Sequence, residues 1–323
     1  MERTLFALVS DHGHTQTKWT DALGIEDLKV IFDELSAKSG RTYTLETPTF
    51  VIEENWFSKV RAFFGFFHDG SISPQANVVA TLNGGALGLY VKPSEGRWTD
   101  SPVYDRDIVP ILRHLLLTLH KNDQGPEAVL YKQGTRYVAV PYRYDGDTID
   151  VLPAVNVDES PLNTDEYPMA ERRLNGLASR LSTGPQSAPD VILLANRHKG
   201  LTYSNKHDWR VIEPLDIEKH RHFHSDHGHL NASDSLVPII FWVGGYEGRN
   251  PLRTICEASI VDVTPTILDV LGLLPLFERQ SYPEEATGTS LKPLLDVILN
   301  HAALPVADDA RLCPAQIHTR HEG

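Results

Sequence analysis

The pentapeptide Ser-Asp-His-Gly-His occurs twice in this chain, and each copy adjoins an apolar run. The first copy, Ser10 to His14, follows residues 3–9, whose composition predicts a buried strand. The second copy, Ser225 to His229, comes shortly before a second apolar run at residues 237–243. A carboxylate beside an imidazole at a strand end, with a glycine that permits close backbone approach, is one way to hold a divalent metal. The repetition therefore predicts that both copies return to one sheet edge and form a metal site.

Each copy taken alone has a plainer interpretation. A single Asp-His-Gly is more often a helix cap or a surface hydrogen bond than a set of ligands. The neighbouring histidines at positions 220, 222, 224 and 229 suit a solvated loop better than a metal site. Asp226 could bind metal, orient His227 or form a turn, and the last two roles together fit such a position better. Asn83-Gly84-Gly85 predicts a hairpin turn.

Several segments resemble the alkaline phosphatase superfamily, and more narrowly its members similar to nucleotide pyrophosphatases and phosphodiesterases. Val9-Ser10-Asp11-His12-Gly13 looks like the metal-binding strand end of that family, and His227-Gly228 looks like its late histidine. Ser259 to Leu268 resembles the helix that usually follows, and Gly288 to Leu295 resembles the closing segment of such domains. The similarity covers most of residues 1–295.

The resemblance implies a fold, a chemistry and a set of ligands. The expected fold is an α/β protein with a layered α/β/α core, a mostly parallel sheet and an inserted α+β cap. The expected activity is hydrolysis of phosphate esters or diphosphates, with a small phosphorylated molecule as substrate. Two divalent ions are expected, zinc or alternatively manganese, with Asp11 and His12 binding one ion and His227 the other.

The family pattern also includes a Thr or Ser nucleophile and an Asp-x-x-x-His pair ahead of the Asp-His-Gly segment. Only residues 1–10 precede Asp11 here, so we expect those groups to be encoded upstream or supplied by another chain. This expectation predicts little hydrolysis by this chain alone. Two alternatives stay open. One is a non-catalytic metal-binding remnant, and the other is a self-contained dinuclear hydrolase that uses a metal-bound hydroxide. The ligands of the self-contained dinuclear hydrolase would be Asp11, His12, His14, Asp226, His227 and His229.

Composition excludes some classes of function. The formal net charge of −13 argues against nucleic-acid binding, because phosphate backbones require a basic surface. The cysteines, Cys256 and Cys313, imply no disulfide framework and permit a reducing compartment. No apolar run approaches the length of a membrane helix, so a cytoplasmic protein without membrane attachment is expected.

The order of segments predicts how the chain is organised. Apolar spacing predicts helices at residues 24–35, 107–121, 169–181 and 262–271. The expected core combines residues 1–20 with 185–299, residues 21–184 form an insertion or cap, and residues 300–323 form a loose tail. The aromatic patch Phe63-Phe64-Gly65-Phe66-Phe67 suits packing better than ligand binding.

Overall fold

The computed structural model describes most of the chain and divides it into two units. The described residues are 4–16, 22–47, 75–180, 188–203, 225–244, 258–275, 288–293 and 295–296. One unit consists of Met1–Asp11 with Val237–Gly323, and the other is His12–Leu236. The first pentapeptide is therefore split, with Asp11 in one unit and His12 in the other. The predicted core, cap and tail have other boundaries and stay a prediction.

The unit His12–Leu236 is built on a six-stranded sheet. Its strands, in spatial order, are β4 (Leu45–Glu46), β5 (Val78–Asn83), β6 (Ala86–Val91), β11 (Val191–Leu194), β7 (Ala128–Gln133) and β8 (Arg136–Ala139). Shorter pairings join β2 (Thr15–Gln16) to β13 (Ser225–Asp226), β3 (Ala22–Leu23) to β12 (Thr202–Tyr203), and β9 (Tyr142–Tyr144) to β10 (Ile149–Val151).

The expectation of a mostly parallel sheet is wrong. Among the described pairings of the six-stranded sheet, β4 and β5 are parallel, whereas every other neighbouring pair is antiparallel. The reason lies in the connections: Gly84-Gly85 joins β5 to β6, and Gly134-Thr135 joins β7 to β8. A two-residue connection joins only antiparallel neighbours, because a parallel pair needs a crossover of a dozen or more residues. The predicted hairpin at Asn83-Gly84-Gly85 is confirmed.

This unit contains the helices predicted at residues 24–35, 107–121 and 169–181, together with a short helix that was not predicted. They are α1 (Ile25–Ser39), α2 (Val109–Lys121), α3 (Ala170–Arg180) and the short α4 (Ala232–Ser235). In α1, Leu28, Phe32 and Leu35 recur at helical spacing and are buried. The helix begins after Gly24, whose N–H donates to the Asp27 carboxylate, and it ends at Gly40, whose φ is +69°. A π-helical turn at Tyr104–Ile108 leads into α2.

The core of this unit lies on both faces of the sheet. Alternate residues of β11 divide between the faces, since Val191 and Leu193 join one buried cluster and Ile192 and Leu194 join the other. The first cluster includes the apolar faces of α1 and α2, and the second includes that of α3. A β11 buried on both faces explains why its sequence is a continuous apolar run.

The other unit is smaller in its described part. In it, β1 (Thr4–Val9) pairs antiparallel with β14 (Ile239–Gly244), and α5 (Val263–Val270) follows a 3-10 turn at Ile260–Asp262. The chain at Leu291 returns to α5, where its N–H donates to Thr266 Oγ1 at 2.8 Å.

None of the helices that the structure describes combines the length and apolar character needed to cross a membrane. The aromatic patch at residues 63–67 and the predicted tail lie outside the described residues.

Candidate functional site

The structure brings the two pentapeptides together through their histidines. The rings of His12 and His227 are stacked, with centroids 4.2 Å apart. The ring of His14 lies beside them, 5.2 Å from His12 and 6.3 Å from His227. The sequence prediction that both copies meet at one place therefore matches the positions of these histidines. Whether they bind metal stays a prediction.

Backbone contacts hold the two copies in this arrangement. Strands β2 and β13 pair so that Thr15 lies opposite Asp226. Gly13 N–H donates to the carbonyl of Asp234 at 2.8 Å, and a Cβ at Gly13 would overlap the carbonyl of Ser233. Glycine at this position thus permits the first copy to pack directly against the backbone that follows the second copy.

The β5–β6 hairpin supports the second copy from another side. Gly85 N–H donates to the carbonyl of His227 at 2.6 Å. Gly228 has a φ of +89°, and a Cβ there would overlap the carbonyl oxygen of Asn83. The predicted hairpin turn is therefore also the surface on which the His227-Gly228 backbone rests. The short turn sequence alone contains no signal for this contact.

The tautomer of His12 follows from one hydrogen bond. Its Nδ1 lies 2.8 Å from the carbonyl oxygen of Gly13, which can only accept a proton. Nδ1 is thus protonated, and the lone pair of the neutral ring is on Nε2. Metal-binding histidines commonly have this arrangement, because a carbonyl on one nitrogen fixes the ring and leaves the other as the ligand atom. His12 is half-buried.

The acidic residues of the two motifs are Asp11 and Asp226. Asp11 is exposed and ends the Met1–Asp11 segment of the smaller unit. Asp226 is part of β13, where its backbone pairs with Thr15. Within the described residues, no group of three or more His, Cys, Asp or Glu side chains is arranged to hold a metal ion.

His229 has a structural role that the sequence pattern does not indicate. The residue is buried, and its Nε2–H donates to the carbonyl of Ala195 at 2.6 Å. Its Nδ1 accepts from the N–H groups of Leu230 and Asn231, at 3.0 and 3.4 Å. Both ring nitrogens are thus used by backbone groups, so the six-residue dinuclear alternative would have to work without His229. Burial lowers the pKa of His229, which suits a neutral ring that both donates and accepts.

We expect His229→Gln to reduce stability. Glutamine can still donate to Ala195 but leaves the buried N–H groups of Leu230 and Asn231 without their acceptor, at a cost of about 2 kcal/mol. Urea unfolding measures the loss. His198→Gln, at an exposed side chain, is the control. Equal stability of His229→Gln and His198→Gln would contradict this role.

A charged network lies beneath His229. Glu127 lies 3.3 Å from Arg197 Nε and 3.7 Å from His229 Nε2, and it accepts a hydrogen bond from the Tyr167 hydroxyl. The Arg197 guanidinium is also paired with Glu166 and lies 5.2 Å from the centre of the Tyr167 ring. These contacts attach the second pentapeptide to the sheet beside the end of β11.

Two further residues near the histidines were not predicted from the sequence. Asn231 is buried and caps α4, because its Oδ1 accepts from Asp234 N–H at 2.9 Å. Its Nδ2 also donates to Thr15 Oγ1 at 2.9 Å, which links the segments after the two copies. Asp234 is buried and its Oδ2 accepts from His229 N–H. The Asn-x-x-Asp spacing is an N-cap signal, but it does not indicate proximity to the first copy.

The charge of Asp234 acts on the histidines of both copies. Burial raises the pKa of its carboxyl group, while His229, His227 and His12 act in the opposite direction.

Comparisons with protein-family models, curated proteins and solved structures give no match to this chain.

Proposed function

We propose that this protein is a metal-dependent hydrolase of phosphate esters or diphosphates, related to the phosphodiesterase-like part of the alkaline phosphatase superfamily. The ligands are Asp11 and His12 for one divalent ion and His227 for a second, with zinc or manganese as the metal. The single observation that supports this most is the stacking of His12 and His227 at 4.2 Å, from two copies of one pentapeptide. The layered core expected for such an enzyme is part of the same proposal.

The donor set suits a borderline-soft divalent cation. His12 directs a lone pair through Nε2 because Gly13 accepts from Nδ1, and imidazole is a preferred ligand of zinc. When bound, such ions lower the pKa of an attacking oxygen and neutralise charge on the transferring phosphoryl group. Because the chain has a net charge of −13, attraction of an anionic substrate has to come from local positive charge.

Zinc titration of metal-free protein, followed by calorimetry, tests the proposal. We expect His12→Ala and His227→Ala each to weaken zinc binding by at least about tenfold, since each removes a ligand. His198→Ala, at an exposed imidazole, should bind zinc as the original protein does. Absence of zinc and manganese binding, or equal affinity in all variants, would refute the metal site.

Phosphate binding separates a catalytic site from a structural one. A catalytic metal keeps an open position for substrate, whereas a structural metal is closed by protein ligands. We expect inorganic phosphate to bind the zinc-loaded protein but not the metal-free protein. The His227→Ala variant should not bind phosphate.

A non-catalytic metal-binding protein is the second candidate. It rests on the same stacked imidazoles of His12 and His227 and requires no attacking group. Zinc binding without any phosphate binding would support this candidate. Hydrolysis of bis-p-nitrophenyl phosphate by the zinc-loaded chain, lost in His14→Ala, would instead support the self-contained dinuclear mechanism.

A further inference from the structure

Asp234 has a buried carboxylate oxygen that nothing in the described fold uses. The residue is only 4% exposed, and its Oδ1 has no hydrogen-bond partner among the described residues. Its Oδ2, in contrast, accepts from His229 N–H. A buried carboxylate with one oxygen that accepts no hydrogen bond destabilises the folded protein unless a cation or a hydrogen-bond donor compensates it.

The backbone of Asp234 is fixed between the two pentapeptides. Its carbonyl accepts from Gly13 N–H at 2.8 Å, so it adjoins the residue that follows His12. Its N–H donates to Asn231 Oδ1 at 2.9 Å. Together with the bond from His229 N–H, these contacts tie one residue to both copies of the motif. The position of the carboxylate is thus set by the same backbone that sets the histidines.

The charges around Asp234 indicate which kind of group would compensate it. Its negative charge interacts with His227 and His12, one from each copy. No Lys or Arg of the described residues lies within ion-pair distance of the carboxylate. Arg173 donates to the carbonyl of Leu230 at 3.0 Å, and its charge acts on Asp234 from farther away. A divalent cation at the imidazole pair would add positive charge near this carboxylate.

We propose that Asp234 is a positioning residue of the metal site, whose buried negative charge and contacts to Gly13 and His229 favour binding of a divalent cation by His12 and His227. This inference rests on the proposed function, because it assumes that these histidines are ligands. The carboxylate acts on the site through its charge and the backbone, consistent with the absence of a described three-ligand group. Such supporting carboxylates typically contribute ten- to a hundredfold in metal affinity.

Zinc calorimetry on Asp234→Asn tests the inference. Asparagine keeps an oxygen that can accept from His229 N–H but removes the charge. We expect zinc affinity to fall by at least about tenfold, while Asp234→Glu, which keeps the charge, should lose less. Asp150→Asn removes the same charge from an exposed position on β10 and should bind zinc normally. Equal affinity in Asp234→Asn and the original protein overturns the inference and leaves the proposed function intact.

Hydrogen exchange on the original protein gives a test that does not depend on the variant folding. Addition of zinc should slow exchange of the Gly13 and His229 amides, because both donate to Asp234. If zinc binds and neither amide changes, the inference fails. If the original protein binds no zinc, the proposed function itself fails, so the two failures are distinguishable.

Discussion

Replacement of Asp107 by alanine is expected to lower the free energy of unfolding by about 4 kcal/mol, among the largest effects of any single substitution here. Asp107 is fully buried in the π-helical turn before α2. Its carboxylate accepts from the N–H groups of Ser94 and Val103, each at 2.9 Å, and pairs with Arg41 at 3.2 Å. Alanine would leave these donors without an acceptor in the interior.

The effect of Asp107 should depend on pH. Burial alone would raise the pKa of Asp107, but hydrogen bonds from Ser94, Val103 and Arg106 outweigh it and lower the pKa to about 2. In the unfolded chain the carboxyl group has a pKa of about 3.9. Its contribution to stability is therefore fully present above about pH 4 and is lost as the pH falls through about 2.

Urea unfolding at pH 7 and at several acidic values measures both effects. Asp105 is exposed on the same turn, so Asp105→Ala should change stability by less than about 0.5 kcal/mol. The free energy of unfolding of the original protein should fall below about pH 4. In Asp107→Ala, the part of this pH dependence that comes from the Asp107 carboxyl group should be absent. Equal stability of Asp107→Ala and Asp105→Ala would show that Asp107 does not organise the loops around α2.

Gly228→Ala is the second substitution with a large expected effect, at about 4 kcal/mol. The φ of +89° at Gly228 is strained for any residue with a side chain, and the new Cβ would overlap the Asn83 carbonyl. Because a backbone carbonyl cannot rotate away as a side chain does, the His227-Gly228 segment would have to move. That movement would separate His227 from His12, so the proposed function predicts that zinc affinity falls together with stability.

Gly134→Ala is the matched control for Gly228→Ala. Gly134 also has a positive φ, +64°, but a Cβ there would have no neighbour within 4 Å. Its substitution should cost only the backbone strain, about 1 kcal/mol, and should leave zinc affinity unchanged. Thermal or urea unfolding of both variants therefore isolates the contact with Asn83. Equal losses in the two variants would mean that the β5–β6 hairpin does not support the second pentapeptide.

Local sequence signals were sufficient for most helices and hairpins. The apolar spacing of α1 and the Gly84-Gly85 turn depend on residues a few positions apart, so they can be recognised without knowledge of the fold. The repeated pentapeptide also indicated correctly that His12 and His227 come together. The family resemblance predicts a mostly parallel sheet, which is wrong, because two-residue connections such as Gly84-Gly85 require antiparallel pairing.

The sequence by itself determined the helices α1, α2, α3 and α5, the β5–β6 hairpin, and which histidines are candidates for the site. Only the tertiary structure decided what each of those side chains contacts. His229 belongs to the same pentapeptide as His227, yet its ring is engaged by Ala195 and the following backbone. Asp234, which the sequence marks only as part of an N-cap, is joined to Gly13 far away in the chain. Such contacts arise from long-range packing, and periodicity and turn chemistry report only on near neighbours along the chain.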